Sequence, residues 1–489
     1  MKTTLEDYCR LARNCNLIPV CRELLADTET PVSVLSRFAD NENAFLLESV
    51  EGGETWGRYS FIGIDPVPLP SVDHAAGDRS FIERLRKVYR GVRAAAPPGL
   101  PRFFGGVVGF LAYEAVTAFE RLPAPRPPQG SQRPCSRFLQ ADDLIVFDNL
   151  RHTMHLIVCS RPGNDPPAAY QAACGKLDQI EARLRQPAPS PAGAVHAPPE
   201  FIANMSQESY CAAVARAREY IEAGDVIQVV LSQRWQAHTT VPPLQMYRAL
   251  RLLNPSPYMY FLKIGGQTLV GSSPEIMVRL TGSRLELRPI AGTRPRGGTE
   301  QDDRRLADDL LADEKEKAEH VMLVDLGRND LGRVSETGSV QVRDYMTIER
   351  YSHVMHIVSH VESILRKDRD ALDVLQAVFP AGTLSGAPKV RAMEIIHELE
   401  HEPRGAYGGA LGYIGYDGSM DFAITIRTLE AVGDTVAVQA GAGIVYNSDP
   451  LKEWEETCQK AKGMRRAVEM AARGLTLDPE ENAGGEDRQ

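Results

Sequence analysis

Two pairs of glutamates with the same spacing have the most distinctive chemistry in this sequence. Glu316 and Glu319 lie in one polar stretch, and Glu453 and Glu456 lie in a second stretch far along the chain. Both stretches are rich in helix-forming residues and contain neither proline nor glycine, so each is predicted to be helical. Residues three apart share a helix face, so four carboxylates would repel one another if the two faces converged. Such a cluster requires a cation, and Mg²⁺ is suited to oxygen ligands, including those of an anionic substrate.

Other interpretations of these residues remain open. The glutamate pairs are also compatible with solvated helix faces supported by Glu–Lys pairs. A separate candidate metal site is the trio His353, His356 and His360. A helix would bring the three histidines onto one face, but the β-branched residues around them predict a strand. Side chains alternate along a strand, so His353 would point away from the other two, and no zinc site is predicted.

Composition excludes several classes of protein. The chain has 489 residues, which suggests two or three structural units, and its 43% hydrophobic and 25% charged residues are ordinary for a soluble globular protein. The net charge of −10 and the lack of a basic patch argue against a nucleic-acid partner. No apolar run approaches the ~20 residues of a membrane span, and the N-terminus lacks the apolar core of a signal peptide. Eight scattered cysteines without a CxxC motif predict free thiols, and hence a cytoplasmic protein.

The elements that must position the glutamates fall into two predicted units. Residues 1–186 contain short strand-like runs and end in a helix, and residues 187–199 are a proline-rich linker. Residues 200–473 form the second unit, followed by a disordered tail at 474–489. Strands and helices occur in blocks, which predicts an α+β fold with largely antiparallel sheets. Within the second unit, one helix is predicted over 302–325, another over 450–472, and a strand over 422–429.

Seven short motifs follow one another in the second unit. They span residues 271–275, 289–294, 319–330, 379–389, 424–427, 441–443 and 453–460. In this order they closely resemble the chorismate-utilising enzymes, and within that family the large subunits of anthranilate synthase. The resemblance extends from about residue 15 to 470, and its specificity comes from the seven motifs together. It implies a two-layer, sandwich-like core of antiparallel sheets flanked by helices.

The resemblance also implies a reaction. These enzymes aminate chorismate with ammonia and then eliminate pyruvate to give anthranilate, the first committed step of tryptophan biosynthesis. The implied cofactor is Mg²⁺, bound directly by Glu319 and Glu456, with Glu316 and Glu453 holding its water molecules. Chorismate carries two carboxylates, so it also requires cationic and backbone N–H donors. The residues implied for substrate binding are Gly292, Thr293, Tyr407, Arg427, Gly441, Ala442, Gly443 and Lys460.

Three residues are implied in the chemistry itself. Glu275 would be the general acid that protonates the leaving ring hydroxyl, His356 would assist proton movement during elimination, and Thr383 would contact the substrate. Taken alone, Glu275 is better explained as a helix or turn N-terminal carboxylate after Pro274, and the Gly-Ala-Gly motif as a tight bend. Arg427 is harder to explain structurally, because a buried guanidinium in an apolar strand requires an anion.

Two positions bear on which nucleophile is used. Water-using members of the family carry a lysine base at the position of Gln228, and aminodeoxychorismate synthases carry an attacking lysine at the position of Ala291. Neither lysine is present, so the resemblance implies direct attack by ammonia. The alternatives are an aminodeoxyisochorismate synthase or an aminodeoxychorismate synthase. A non-catalytic chorismate or tryptophan sensor is a further alternative, which predicts a missing acid or metal ligand.

The resemblance finally implies feedback inhibition and a partner. A tryptophan site would lie at the seam between the two units, with an allosteric effect on the active site. Its implied residues are Glu48, Ser49, Arg58, Pro257, Tyr258, Met259, Leu411 and Tyr413. The sequence shows no Gly-x-Cys-x-Gly nucleophile motif of an amidotransferase. We therefore expect a separate glutamine amidotransferase small subunit, in a heterotetramer of two large and two small subunits.

Overall fold

A computed structural model of the chain describes residues 3–49, 57–74, 80–125, 135–188, 195–351 and 354–475. The helices are α1 (Leu5–Leu11), α2 (Pro31–Ser36), α3 (Phe81–Tyr89), α4 (Pro166–Leu184), α5 (Gln207–Glu222), α6 (Pro243–Leu253), α7 (Glu300–Ala312), α8 (Glu314–Gly332), α9 (Ala371–Val378), α10 (Lys389–Leu399) and α11 (Pro450–Ala472). The strands are β1 (Ile18–Leu25), β2 (Ala44–Glu48), β3 (Tyr59–Gly63), β4 (Val67–Pro68), β5 (Val72–Asp73), β6 (Gly106–Leu111), β7 (Cys135–Ala141), β8 (Asp143–Asp148), β9 (Thr153–Ser160), β10 (Ile202–Ala203), β11 (Gln228–His238), β12 (Tyr258–Ile264), β13 (Gln267–Ser273), β14 (Ile276–Thr281), β15 (Arg284–Leu287), β16 (Ile290–Pro295), β17 (Gln341–Arg350), β18 (Val354–Ile364), β19 (Gly386–Ala387), β20 (Ala410–Gly415), β21 (Met420–Ile424), β22 (Thr428–Val432) and β23 (Thr435–Ile444).

The strands form two antiparallel sheets, and both sheets combine strands from before and after the predicted linker. The first sheet has the order β1-β9-β8-β3-β2-β12-β13-β22-β23-β11-β10, and the second has the order β16-β18-β15-β14-β21-β20-β6-β7-β4. Pairing of β2 with β12 places Leu47 opposite Tyr260, and pairing of β6 with β20 places Val108 opposite Tyr413. The division at 187–199 stays a prediction, but the strands on its two sides share both sheets.

The core lies in three apolar layers. A central cluster contains Phe45 and Phe61 of the first sheet together with Val108 and Leu411 of the second, so the two sheets pack face to face. A second cluster joins the outer face of the first sheet to α4, α6 and α11. A third joins the second sheet to α8, α9 and α10. This confirms the predicted α+β fold with a two-layer core of antiparallel sheets flanked by helices.

One predicted helix is in fact two. The prediction of a single helix over 302–325 is wrong because Asp313 interrupts it with an extended backbone, at φ −70° and ψ 106°. The Asp313 carboxylate accepts hydrogen bonds from the backbone N–H groups of Lys315 and Glu316, at 3.0 and 3.2 Å. These bonds satisfy donors that a new helix leaves unpaired, so α8 begins here. Its first turn therefore presents Glu316 to the site described below.

One predicted strand is also in fact two. The strand predicted over 422–429 is interrupted after Ile424, and β22 begins at Thr428. Arg427 lies in the bend between them with a left-handed backbone, at φ 49°. Such a conformation is uncommon for a residue other than glycine. The interpretation of Arg427 as a strand residue is therefore wrong, and the bend directs its side chain independently of the strand pleat.

Several predictions concern parts of the chain that the structure does not describe. His353, residues 189–194 of the linker and residues 476–489 of the tail lie outside the described residues. His356 and His360 both lie in β18, as the strand prediction requires. All eight cysteines are unpaired, as expected. Among the described residues, no helix is long and apolar enough to cross a membrane.

Candidate functional site

Glu275 lies at the turn between β13 and β14. Its backbone oxygen accepts a hydrogen bond from the backbone N–H of Ile424 in β21 at 3.0 Å, which fixes the turn against the neighbouring strand. Burial raises the pKa of the Glu275 carboxyl to about 7; Thr383 and Lys460 oppose the shift, and Glu319 adds to it. A carboxyl with this pKa is protonated in a large fraction of molecules at neutral pH and can donate its proton.

Thr383 lies in a short helical turn beside Glu275. The two residues line one pocket together with Met277, Leu287, Arg288, Pro289, Leu323, Leu326, Gly327, Asp330, Val378, Ala381, Gly382 and Ile424. The Thr383 hydroxyl is buried and forms no well-aligned hydrogen bond with any described residue. Buried hydroxyls in native proteins are normally paired, so this oxygen is available to a bound molecule.

His356 is held in a defined tautomer by the neighbouring strand. Its Nδ1 lies 2.8 Å from the carbonyl oxygen of Gly292 and 3.1 Å from the Thr293 hydroxyl. A carbonyl oxygen can only accept, so Nδ1 carries the proton and Nε2 keeps its lone pair. Burial lowers the pKa of His356, and Arg427 lowers it further, so the ring is neutral at pH 7. Nε2 can therefore accept a proton.

Arg427 provides the cationic group of the site. Its guanidinium forms no hydrogen bond or ion pair with another residue in the described part of the chain, and burial lowers its pKa. Tyr407 and Glu456 partly offset this effect, because each raises the pKa of Arg427. A desolvated guanidinium without a partner favours binding of an anion such as a carboxylate.

The Gly-Ala-Gly segment of β23 forms another wall, and close packing requires the glycine at position 441, where a Cβ atom would lie 2.7 Å from the backbone oxygen of Leu231. A Cβ atom on Gly441 would lie 2.7 Å from the Tyr407 hydroxyl, and one on Gly443 would lie 2.5 Å from Nε2 of Gln228. Ala442 between them is fully buried and faces the apolar side of the strand. Lys460 donates to the Gly441 carbonyl at 3.0 Å and forms an ion pair with Glu456 at 2.6 Å.

The two glutamate pairs reach this site from opposite sides, on α8 and α11. Glu319 accepts a hydrogen bond from Gln228 Nε2 at 3.1 Å. Burial raises the pKa of Glu316, and Glu319 raises it further. Burial also raises the pKa of Glu453; Glu456 adds to the shift and Lys315 of α8 opposes it.

The expectation of a single cluster of four carboxylates is not met. Within the described residues, no group of three or more His, Cys, Asp or Glu side chains is close enough to hold a metal ion. However, Mg²⁺ commonly uses one or two carboxylates and completes its coordination with water and substrate oxygens. One carboxylate on each helix, with hard oxygen donors and raised pKa values nearby, fits that requirement.

Electrostatic contacts join these parts into one site, which we call the Glu275 site and define by Glu275, Thr383, His356 and Arg427. The charges of Lys460 in α11 and Glu319 in α8 both influence the pKa of Glu275. The charge of Glu456 influences the pKa of Arg427, and the charge of Arg427 influences that of His356. These interactions link residues predicted for catalysis, substrate binding and metal binding, and two of the predicted site residues, Glu275 and Thr383, line the pocket.

A second cleft lies at the seam where the two sheets meet, and we call it the seam cleft. It is lined by Leu47, Glu48, Ser49, Tyr59, Phe61, Arg102, Pro257, Tyr258, Met259, Tyr260, Arg279, Leu411, Gly412, Tyr413, Asp421 and Ala423. Its space, including the opening to solvent, is about 470 Å³. Seven of the eight residues predicted for tryptophan line this cleft. The exception is Arg58, whose guanidinium pairs with Asp148 at 2.8 Å.

The polar groups of the seam cleft are largely paired. The buried Glu48 carboxylate accepts from the Tyr247 hydroxyl at 2.5 Å and from Arg251 at 2.8 Å. The buried Asp421 carboxylate accepts from the Tyr258 hydroxyl at 2.9 Å and from Arg279 at 3.0 Å. Arg102, Arg279 and Asp421 were not predicted from the sequence. An acidic residue between apolar neighbours in a strand is the signal that would have pointed to Asp421.

Comparison with known proteins agrees with this geometry. Residues 42–466 match the model of the chorismate binding enzyme family. Anthranilate synthase component 1 of Pseudomonas putida is 48% identical over 490 residues, covering 95% of this chain and 98% of that protein. The chain belongs to the chorismate-binding enzyme family. The prediction that it is an enzyme is thereby confirmed.

Solved structures agree with this assignment. The crystal structure of anthranilate synthase component I from Streptococcus pneumoniae TIGR4 matches this chorismate-binding enzyme with a TM-score of 0.75 and 38% identity, over 86% of this chain and 94% of that one. The menaquinone-specific isochorismate synthase of Escherichia coli shares the fold, with a TM-score of 0.68 and 21% identity over 95% of this chain and 99% of that one.

Proposed function

We propose that this enzyme aminates chorismate with ammonia and then eliminates pyruvate to give anthranilate, the first committed step of tryptophan biosynthesis. The observation that carries the proposal is the placement of Glu275. Its carboxyl has a pKa of about 7, lies beside the Thr383 hydroxyl, and is influenced by Glu319 of α8 and Lys460 of α11. A proton donor of this kind is what loss of a ring hydroxyl requires.

In the proposed mechanism, Arg427 and the backbone of Gly441–Gly443 bind the enolpyruvyl carboxylate. Glu319 and Glu456 would hold Mg²⁺, which neutralises the ring carboxylate when bound, with Glu316 and Glu453 holding its water molecules. Thr293 and Thr383 face the ring, and Lys460 balances the charge of Glu456.

The residues then act in two chemical steps. Ammonia forms a bond to ring C2, both ring double bonds shift, and the C4 hydroxyl leaves as water with the proton of Glu275; the new ammonium group then loses one proton, which can restore the protonated Glu275. In the second step the C2 proton is removed and the bond between ring C3 and the enolpyruvyl oxygen breaks, which gives the aromatic ring and enolpyruvate, and enolpyruvate takes up a proton to become pyruvate. His356 Nε2 is the unprotonated nitrogen available for the C2 proton.

The nucleophile is proposed to be ammonia because the site lacks a base that would activate water. Gln228 occupies the position beside Glu319 where a lysine base would lie, and its amide is neutral. Ala291 has no group that could attack the ring. Neutral ammonia is already nucleophilic and requires neither residue.

We further propose the regulation and the partner. Tryptophan would bind in the seam cleft, with Pro257 and Met259 against the indole ring and Ser49 near its polar groups, and would inhibit allosterically. A glutamine amidotransferase small subunit would supply ammonia, in a heterotetramer of two large and two small subunits. Gel filtration with the small subunit tests the assembly, and separate elution of the two chains would contradict it.

The product distinguishes the proposal from its alternatives. The purified chain is incubated with chorismate, Mg²⁺ and ¹⁵N-ammonium, and the products are identified by mass. Labelled anthranilate with one equivalent of pyruvate supports the proposal. A labelled product that retains the enolpyruvyl group indicates an aminodeoxyisochorismate or aminodeoxychorismate synthase, and unchanged chorismate indicates a sensor.

A further inference from the structure

Arg294 follows directly on the Gly292–Thr293 segment of β16 but points away from the Glu275 site. Its Nε donates to Asp309 of α7 at 2.9 Å, and its Nη2 donates to Asp313 at 2.9 Å. Nη1 also donates to the carbonyl oxygen of Thr293 at 3.2 Å. One guanidinium therefore ties the strand that carries Gly292 and Thr293 to the junction between α7 and α8.

Asp313 uses its two carboxylate oxygens for different tasks. Oδ1 accepts the backbone N–H groups of Lys315 and Glu316, which starts α8, and Oδ2 accepts Arg294. A guanidinium suits this arrangement because its planar set of donors can reach two carboxylates at fixed angles. The position and direction of the first turn of α8 are thus linked to β16.

The two elements that Arg294 links, β16 and the first turn of α8, lie very close together at Gly292. Gly292 has a left-handed backbone at φ +67°, and a Cβ atom there would lie 3.1 Å from Oε2 of Glu316 and 2.9 Å from Leu310 Cδ1. The segment predicted to contact the substrate and the helix that carries Glu316 and Glu319 therefore touch at this point. A small shift of α8 would change both surfaces together.

We infer that Arg294 is a positioning residue that sets the metal-binding turn of α8 against the substrate-binding segment of β16. This inference rests on the proposed function, because it takes Glu316 and Glu319 as the metal-binding residues of α8. Residues that orient metal ligands typically change metal affinity or activity by 10- to 100-fold when replaced. Arg294 and its two partners are partly exposed, and such ion pairs add little to folding stability, so variants should fold.

The test compares Arg294→Met, Arg294→Lys and Asp313→Ser with the wild type. Serine keeps the capping hydrogen bonds but loses the bond to Arg294, and lysine keeps the charge but cannot bridge both carboxylates. The matched control is Arg304→Met, which removes an exposed ion pair with Glu300 within α7. Mn²⁺ alone, which takes the same oxygen ligands as Mg²⁺, is titrated into each protein and followed by electron paramagnetic resonance.

All three test variants are expected to weaken Mn²⁺ binding about tenfold and to lower kcat for anthranilate more than they raise KM for chorismate, while the control stays within twofold. Wild-type Mn²⁺ affinity in Arg294→Met, or full recovery in Arg294→Lys, would overturn the inference. The Mn²⁺ titration involves no turnover, so a wild-type protein that bound Mn²⁺ but formed no anthranilate would refute the proposed function without deciding the role of Arg294.

Discussion

The Glu275 site and the seam cleft are built from neighbouring parts of the same sheets, but they differ in whether their charged and polar groups have partners within the protein. In the Glu275 site, the Arg427 guanidinium, the Thr383 hydroxyl and the Gln228 amide oxygen have no full partner among the described residues. In the seam cleft, Asp421 and Glu48 are each bonded to an arginine and a tyrosine.

This difference matches the charges of the proposed ligands. Chorismate brings two negative charges and Mg²⁺ brings two positive ones, so unpaired groups in the Glu275 site gain partners only when ligand and metal are bound. Tryptophan is a zwitterion with no net charge, and a cleft whose own charges are balanced suits it. The Glu275 site thus holds several unsatisfied groups, whereas among the described residues that line the seam cleft the one buried side-chain atom without a hydrogen-bond partner is Nε of Arg102.

The two sites are also connected through a pair of strands. Arg279 of the seam cleft lies in β14, four residues after Glu275. Asp421 of the seam cleft lies in β21, six residues before Arg427. These strands pair with each other with a register shift between Ile276 and Val278. A ligand that moved the Arg279–Asp421 pair would therefore act on strands that end at the general acid and the guanidinium.

The largest effect is expected from Glu275→Gln. Removal of the proton donor should lower kcat by about 10²–10⁴-fold while chorismate affinity changes little. In the wild type, kcat/KM should fall as the pH rises above about 7, because the acid must be protonated and its pKa is about 7. Stopped-flow assays at saturating ammonia measure both, and a variant with more than a tenth of wild-type kcat would contradict the assignment.

A pair of arginine substitutions tests the contrast directly. Arg427→Met should weaken chorismate binding about 100-fold, through loss of charge-assisted hydrogen bonds, and should leave stability unchanged because no protein partner is lost. Arg279→Met should instead destabilise the fold by about 3 kcal/mol, because the buried Asp421 loses its hydrogen-bonded cation and keeps only the more distant Arg102 at 3.7 Å. Calorimetry with chorismate in ammonium-free buffer measures the change in binding, and thermal unfolding measures the change in stability. Equal effects of both variants on stability would remove the contrast.

The seam cleft is tested with Arg102→Met and Arg58→Met. Arg102 lines the cleft and lies 3.7 Å from Asp421, whereas Arg58 is committed to Asp148. We expect tryptophan inhibition to weaken about tenfold in the first variant, as for loss of one charged contact, and to stay within twofold in the second. Inhibition curves at fixed chorismate measure this, and the reverse ranking would restore the sequence prediction of Arg58.

A last effect is on stability, and it concerns the same Glu275 carboxyl as the first prediction. Because the pKa of Glu275 is raised from 4.5 to about 7, the folded state favours its protonated form. The contribution of this carboxyl to the free energy of unfolding is fully present below pH 4.5. It is lost as the pH rises to about 7, and the total loss is at most about 3 kcal/mol. Glu275→Gln should therefore be more stable than the wild type at pH 8 but not at pH 4.5. Urea unfolding at both pH values checks this, and a pH-independent difference would refute it.

Much of the fold and of the Glu275 site could be predicted from local sequence. Helix formers around Glu316 and Glu453 predicted α8 and α11, and β-branched runs predicted most of the long strands. Residues of five of the seven motifs, those at 271–275, 289–294, 319–330, 379–389 and 424–427, line the pocket beside Glu275. Their functional roles stay predictions.

The parts that sequence did not predict depend on tertiary contacts. The helix break at Asp313 follows from capping and from the bond to Arg294, which is distant in sequence. The bend at Arg427 interrupts a run whose residues favour a strand. Arg102, which precedes β6, lies near Asp421 because β6 and β21 both pair with β20 in the second sheet. Arg58 is paired with Asp148 at the end of the neighbouring strand β8.

The most direct test is a fluorescence assay of the purified chain with chorismate, Mg²⁺ and ammonium chloride near pH 8, with tryptophan added during the reaction. We predict that anthranilate fluorescence rises and that tryptophan stops the rise. Chorismate consumption without fluorescence would contradict the proposed product, and no consumption at all would contradict the assignment of the Glu275 site as a catalytic centre.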